Sequence, residues 1–135
     1  MTLPFERPYF IGWDTTVDDR PEVGSIALAK RECIPCKESV APLKGEKLRA
    51  YQELLDGGWK LVNEHHLEKV FRFKNFREAL AYTNRVGELA EEQGHHPDLC
   101  LGWGRVQMTL YTHNIDGLHE NDFVLAAKID NLPLR

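Results

Sequence analysis

The chain has 135 residues, of which 42% are hydrophobic and 28% charged, and its formal net charge is -4 at pH 7. That is the size of one domain, or of one domain with an arm, and the composition is that of a folded soluble protein rather than a low-complexity one. The acidic balance excludes a broad basic face for nucleic acid, and no stretch approaches the roughly 18 apolar residues of a membrane span. Met1 to Ile11 lacks the basic-then-apolar pattern of a secretory leader. Three cysteines make no disulfide framework, so a reducing cytoplasm is the expected compartment.

Residues 1–43 read as an N-terminal Pro-rich arm, because Pro4, Pro8, Pro21, Pro35 and Pro42 interrupt every candidate element. Proline fixes φ and removes a donor, so only a short helix near Ser25–Glu32 is expected there. Residues 44–135 read as the folded domain. Leu48, Tyr51, Leu54 and Leu55 recur at helical spacing up to Gly57-Gly58, a C-terminal cap signal. Trp59–Val62 and Leu67–Phe73 are rich in strand formers, joined by a hairpin through Asn63 to His66. In the second strand Leu67, Lys69, Phe71 and Phe73 share one face. Asn75 followed by Glu78 marks a helix start, and Phe76, Ala79, Leu80, Thr83, Val86, Leu89 and Ala90 form its apolar stripe, ending near Gly94. Arg105–His113 alternates as a half-buried strand, with Val106, Met108 and Leu110 inward and Arg105, Gln107, Thr109, Tyr111 and His113 outward. Phe123–Ile129 is a short apolar helix after Gly117. No solenoid-type repeat is present. The element order predicts an α+β fold with helices packed on one face of an antiparallel sheet.

Six histidines fall in three places. Imidazole is the side chain that ordinarily titrates near neutrality, so clustered histidines point to proton transfer. His65-His66 falls in the hairpin turn among charged residues and is expected to be solvated surface. His95-His96-Pro97 follows a long helix, and the proline restricts His96. His113 stands at a strand end beside Tyr111. Adjacent side chains of an extended segment point apart, so His95 and His96 are poorly placed to bind one metal ion, and no His-Glu-x-x-His pattern occurs. Cys33-Ile34-Pro35-Cys36 is half a zinc site with no matching second pair. It lacks the strand-then-helix setting of a redox motif, and is expected as reduced thiols on the arm.

The spacing Glu91, His95-His96-Pro97, Trp103, His113, Asp122 resembles the signature of the pterin-4a-carbinolamine dehydratases. Gly58-Trp59, Phe71 to Phe76, Thr112-His113 and Asp122 to Ile129 extend the likeness over about 43–130. The resemblance implies a four-stranded antiparallel sheet with helices packed on one face, including a strand around Leu99–Trp103, and a homodimer or homotetramer. It implies dehydration of a 4a-hydroxytetrahydropterin to the quinonoid dihydropterin, in tetrahydrobiopterin recycling, with no metal and no organic cofactor. It also makes His95, His96 and His113 the catalytic candidates, with His96 and His113 as the acid–base pair and His95 orienting substrate. The pterin is then expected against Gly94, His95, His96, Tyr111, Thr112, His113 and Asn114. Glu91 is expected to fix a histidine tautomer, and Asp122 to orient His113 or to cap the last helix. Trp103 is a pocket wall or, by the commoner fate of aromatics, a buried core residue. Many relatives have serine where this chain has His119, a weaker N-cap, and a basic residue where it has Asn121.

Two other functions fit less of the sequence. A non-catalytic binding protein on the same fold, such as a transcription coactivator or a Rubisco assembly factor, needs none of the three histidines. A small metal-binding domain would draw on Cys33, Cys36 and histidines. The expected partners are therefore a small-molecule pterin and a second copy of the chain, without direct nucleic-acid or membrane contact.

Overall fold

The computed structural model describes residues 24–33, 41–55 and 58–133. The elements in chain order are α1 (Gly24–Ala29), α2 (Gly45–Leu54), β1 (Lys60–Val62), β2 (His66–Arg72), α3 (Phe76–Gln93), β3 (Asp98–Gly102), β4 (Arg105–Leu110), a 3-10 turn (His113–Ile115) and α4 (Glu120–Asp130). The four strands form one sheet in the order β1-β2-β4-β3, every pairing antiparallel. The expected α+β class and the strand around Leu99–Trp103 are both present.

Register follows from the alternation. Leu67 pairs with Leu110, Lys69 with Met108 and Phe71 with Val106. Leu67, Phe71, Val106, Met108 and Leu110 are all buried with α4 residues Phe123 to Ala127 in one core. Val70 and Cys100, on the opposite face, are exposed. A one-residue slip would exchange these two sets, so the core fixes the register. Each large aliphatic side chain buried here contributes about 1.5–3 kcal/mol. Lys69 also stands on the inner face, and its ammonium is satisfied there: Nζ lies 2.7 Å from Asp130 Oδ1 and over the rings of Phe71 and Trp59.

Asn75 caps α3 by accepting from the Glu78 backbone N–H at 2.8 Å, as its sequence position implies. The buried line of α3 is Ala79, Tyr82, Val86 and Ala90. Phe76 and Leu80, expected to be apolar stripe, are exposed. Tyr82 takes the core position because its hydroxyl donates to the Ile129 carbonyl, leaving the ring free to pack on Phe71 and Phe73.

Other boundaries move by a few residues. α2 ends at Leu54, and Leu55 is already extended; Gly57 lies outside the described residues. α4 starts three residues before Phe123, at Glu120. β4 ends at Leu110 rather than at His113. Beyond it Thr112 pairs with Gly117 in an isolated bridge, which closes a tight loop and takes the chain off the ladder. α1 packs on α4 and buries Leu28, so this part of the Pro-rich stretch joins the core.

Leu67 and Leu110 face each other with no solvent exposure. Leu67→Ala is expected to lower unfolding free energy by about 2–5 kcal/mol with the urea m-value unchanged, measured by equilibrium denaturation.

Candidate active site

The first part of the site is the exit of α3. Gly94 takes the left-handed conformation (φ 66°) and its N–H bonds back to Ala90 and Glu91 carbonyls. Glycine adopts that conformation without steric cost, and it terminates the helix. His95 and His96 follow, outside any helix or strand, and their rings turn to different partners. His95 Nε2 lies 2.5 Å from Asp122 Oδ1. His96 Nε2 lies 2.5 Å from Glu91 Oε2, one turn back on α3. Glu91 thus stands within hydrogen-bond reach of His96.

The second part is the start of α4. Asp122 has no solvent exposure. Its Oδ2 accepts from the Thr112 hydroxyl at 2.8 Å and from the His119 backbone N–H at 2.9 Å, while Oδ1 faces His95. Asp122 therefore caps the last helix, one of its two expected roles, and orients His95 rather than His113. His119 completes a reciprocal cap, its Nδ1 accepting from the Asn121 N–H at 3.2 Å. A histidine fills the place of the usual hydroxyl because Nδ1 offers the same lone pair.

The third part is the segment after β4. Thr112 is buried against Asp122, whereas His113 opens the 3-10 turn and points outward. His113 Nε2 is 3.7 Å from Asp98 Oδ2, an ion-pair distance rather than a hydrogen bond, and its ring lies tilted by 47° against that of Tyr111, 4.3 Å between centroids. The side chains of His95, His96 and His113 are 11%, 59% and 55% exposed. Asp122 ties His95 to Thr112, the residue before His113, and Asp98, two residues after His96, faces His113. The helix exit and the strand end thereby meet at one edge of the domain, with Gly94, Tyr111 and Asn114 on the same segments.

His65 and His66 depart from their expected solvated position. Both are half-buried, and the His65 ring lies 4.7 Å from that of Tyr111. The pairing of Leu67 with Leu110 carries the hairpin turn to the residues after β4. Periodicity within either strand holds no sign of this, since it depends on which strands become neighbours.

Trp103 is neither a pocket wall beside the histidines nor a core residue. It is 70% exposed, at the two-residue turn between Gly102 and Arg105, where no core lies within its reach. Cys33 packs against α4, its thiol 3.7 Å from the Asn121 carbonyl and its N–H donating to Gln93. Burial pushes this thiol up to about 11, with Lys128 opposing and Asp122 and Glu32 adding to the rise. A thiol so shifted is a poor nucleophile and a poor metal ligand near neutrality. Cys36 lies outside the described residues, and among those described no group of three or more His, Cys, Asp or Glu side chains is arranged to hold a metal ion.

Residues 41–132 match the family model described as pterin 4 alpha carbinolamine dehydratase. A candidate pterin-4-alpha-carbinolamine dehydratase of Rubrobacter xylanophilus is 63% identical over 105 residues, covering 78% of this chain and 97% of that protein. A protein of the same description from Alkaliphilus metalliredigens is 55% identical over 103 residues, covering 76% and 93%. Among solved structures, the transcriptional coactivator/pterin dehydratase from Brucella melitensis superposes with a TM-score of 0.61 at 30% identity, over 66% of this chain and 95% of that one. No helix among the described residues is long and apolar enough to cross a membrane.

Asp122→Ala is expected to cost about 3–5 kcal/mol of stability, because it strands His95, Thr112 and the α4 start together. Asp122→Asn, which keeps one acceptor oxygen for Thr112 and His119 and sets an amide N–H toward His95, should cost roughly half as much; urea unfolding of both variants checks the order. For Cys33, burial favours the neutral thiol, so that contribution is complete below its unfolded value of 9.0 and is lost as pH rises through about 11. Iodoacetamide at pH 8 should therefore label exposed Cys100 well before Cys33, with Cys33 catching up as pH approaches 11, read by peptide mass mapping.

Proposed function

We propose that this chain, which belongs to the pterin 4 alpha carbinolamine dehydratase family, removes water from a 4a-hydroxytetrahydropterin to give the quinonoid dihydropterin. The observation that carries the reading is that each of three imidazoles at one edge of the fold has its own carboxylate: His95 with Asp122, His96 with Glu91, His113 with Asp98. A carboxylate on one ring nitrogen fixes the tautomer and turns the other nitrogen to its task.

The reaction asks for two proton transfers. An acid protonates the 4a-hydroxyl, and the C–O bond breaks with water leaving. A base takes the proton from the neighbouring ring nitrogen, whose N–H bonding pair becomes the new C=N bond. Atoms and electrons balance without an oxidant or any other co-reactant. His96 and His113, more than half exposed, are open enough to exchange protons with a substrate and with solvent; one serves as acid and the other as base. His95, largely covered and held by an Asp122 carboxylate that has no solvent exposure, is the rigid one, and it orients the heterocycle. The pterin lies between Gly94–His96 and Tyr111–Asn114, where backbone groups of both segments and the Tyr111 ring line its edge. Placed in tetrahydrobiopterin recycling in the cytoplasm, the enzyme follows an aromatic amino-acid hydroxylase.

A second reading has one observation behind it: the Brucella melitensis structure carries the description of a transcriptional coactivator beside that of a dehydratase. A partner-binding role on this fold leaves the three imidazole–carboxylate pairs without a task.

Stopped-flow dehydration of a 4a-hydroxytetrahydropterin, without added metal, tests the proposal. The wild type should exceed the buffer rate, and His96→Ala and His113→Ala should each lower it by about 10²-fold or more, the range of general acid–base catalysis. A wild-type rate equal to buffer would remove the enzyme reading and leave the partner-binding one.

A further inference from the structure

The β1–β2 turn brings a second histidine pair against His113. Asn63 and Glu64 both have positive φ (53° and 54°), which reverses the chain tightly and sets His65 and His66 side by side. Their Nδ1 atoms are 3.0 Å apart. The outer nitrogens each meet a carboxylate: His65 Nε2 lies 2.8 Å from Asp116 Oδ1, and His66 Nε2 lies 3.0 Å from Glu68 Oε2.

Counting protons decides what this chain of contacts is. An ionised carboxylate only accepts, so both Nε2 atoms must carry hydrogen. The contact between the two Nδ1 atoms needs one hydrogen more. Three N–H groups on two rings is one more than two neutral imidazoles hold. The network is complete only as a cation whose extra proton sits between the rings.

That cation has a definite target. The Tyr111 ring lies 4.7 Å from that of His65, 6.4 Å from that of His66 and 4.3 Å from that of His113, tilted in each case. Asp116 ends the 3-10 turn that His113 begins, and its N–H donates to the His113 carbonyl at 3.2 Å. The pair therefore grips the turn on both sides of His113, through an aromatic face before it and a carboxylate after it. The other charged groups nearby are Lys44, whose ammonium reaches the Glu64 carbonyl, and Asp98, which faces His113 without a hydrogen bond.

We propose that His65 and His66 share one proton and that this cationic pair is a positioning element for His113. Its role in dehydration rests on the function proposed above; its existence does not. Loss of the shared proton breaks one of the three hydrogen bonds and loosens the turn.

Long-range proton–nitrogen correlation spectra of the full chain at neutral pH test the first half. Three protonated nitrogens on the two rings are expected, and two would overturn the shared proton. Glu68→Leu keeps both rings but removes the acceptor that requires hydrogen on His66 Nε2, and should reduce the count to two; an unchanged count would also overturn it. His66→Gln should shift the backbone amides of 113–116 and lower kcat roughly tenfold with KM little changed, as expected when a reacting group is displaced by a fraction of an ångström. Unmoved amides, or an unmoved kcat in an active protein, would overturn the positioning role. If the wild type proves inert toward the pterin, the dehydratase reading fails alone, and the nitrogen count and amide shifts still decide the pair.

Discussion

A carboxylate taken wholly out of water costs several kcal/mol unless both of its oxygens find donors. Asp122 meets that condition with an imidazole, a hydroxyl and a backbone N–H, and it stands in the first turn of α4, where the helix dipole favours negative charge. The three donors come from three elements: the exit of α3, the segment after β4, and α4 itself. Satisfying one buried anion therefore requires those three chain segments to meet. The candidate site is the meeting place, and the order of its parts follows from that requirement rather than from contacts with a substrate.

Rigidity is graded outward from this anchor. His95 is held by the buried anion, His96 by an exposed carboxylate one helical turn away, and His113 by a carboxylate at ion-pair distance and a tilted aromatic contact. Solvent screens the outer two pairs and leaves the inner one strong. Such a gradient suits the proposed reaction, in which the orienting group is fixed and the proton-transferring groups are reachable.

Much of the fold was legible because its signals are local. The cap at Asn75, the alternation through Val106, Met108 and Leu110, and the glycine at the end of α3 each act within a few residues. The errors lie where a partner distant in sequence decides. Tyr82 displaces Phe76 and Leu80 from the core because a carbonyl on α4 takes its hydroxyl. The strand stops short of His113 because Thr112 turns to Gly117. Trp103 is outside because a two-residue turn offers a large ring nothing to pack on. Of the candidate site, the three histidines stood out by residue type and position, and Glu91 through the family resemblance. The pairing of Asp122 with His95, and the nearness of His65 and His66, depend on sheet neighbours and could not be read from either segment alone.

The two tryptophans of the described residues sit at opposite depths. Trp59 is buried with its indole N–H on Asp130, whereas Trp103 stands in water at the tip of the β3–β4 hairpin. Among the described residues, then, one indole reports on the interior and the other on the solvent at a single loop. Emission from the first follows the integrity of the core around Lys69, and accessible quenchers will find the second while the fold is intact.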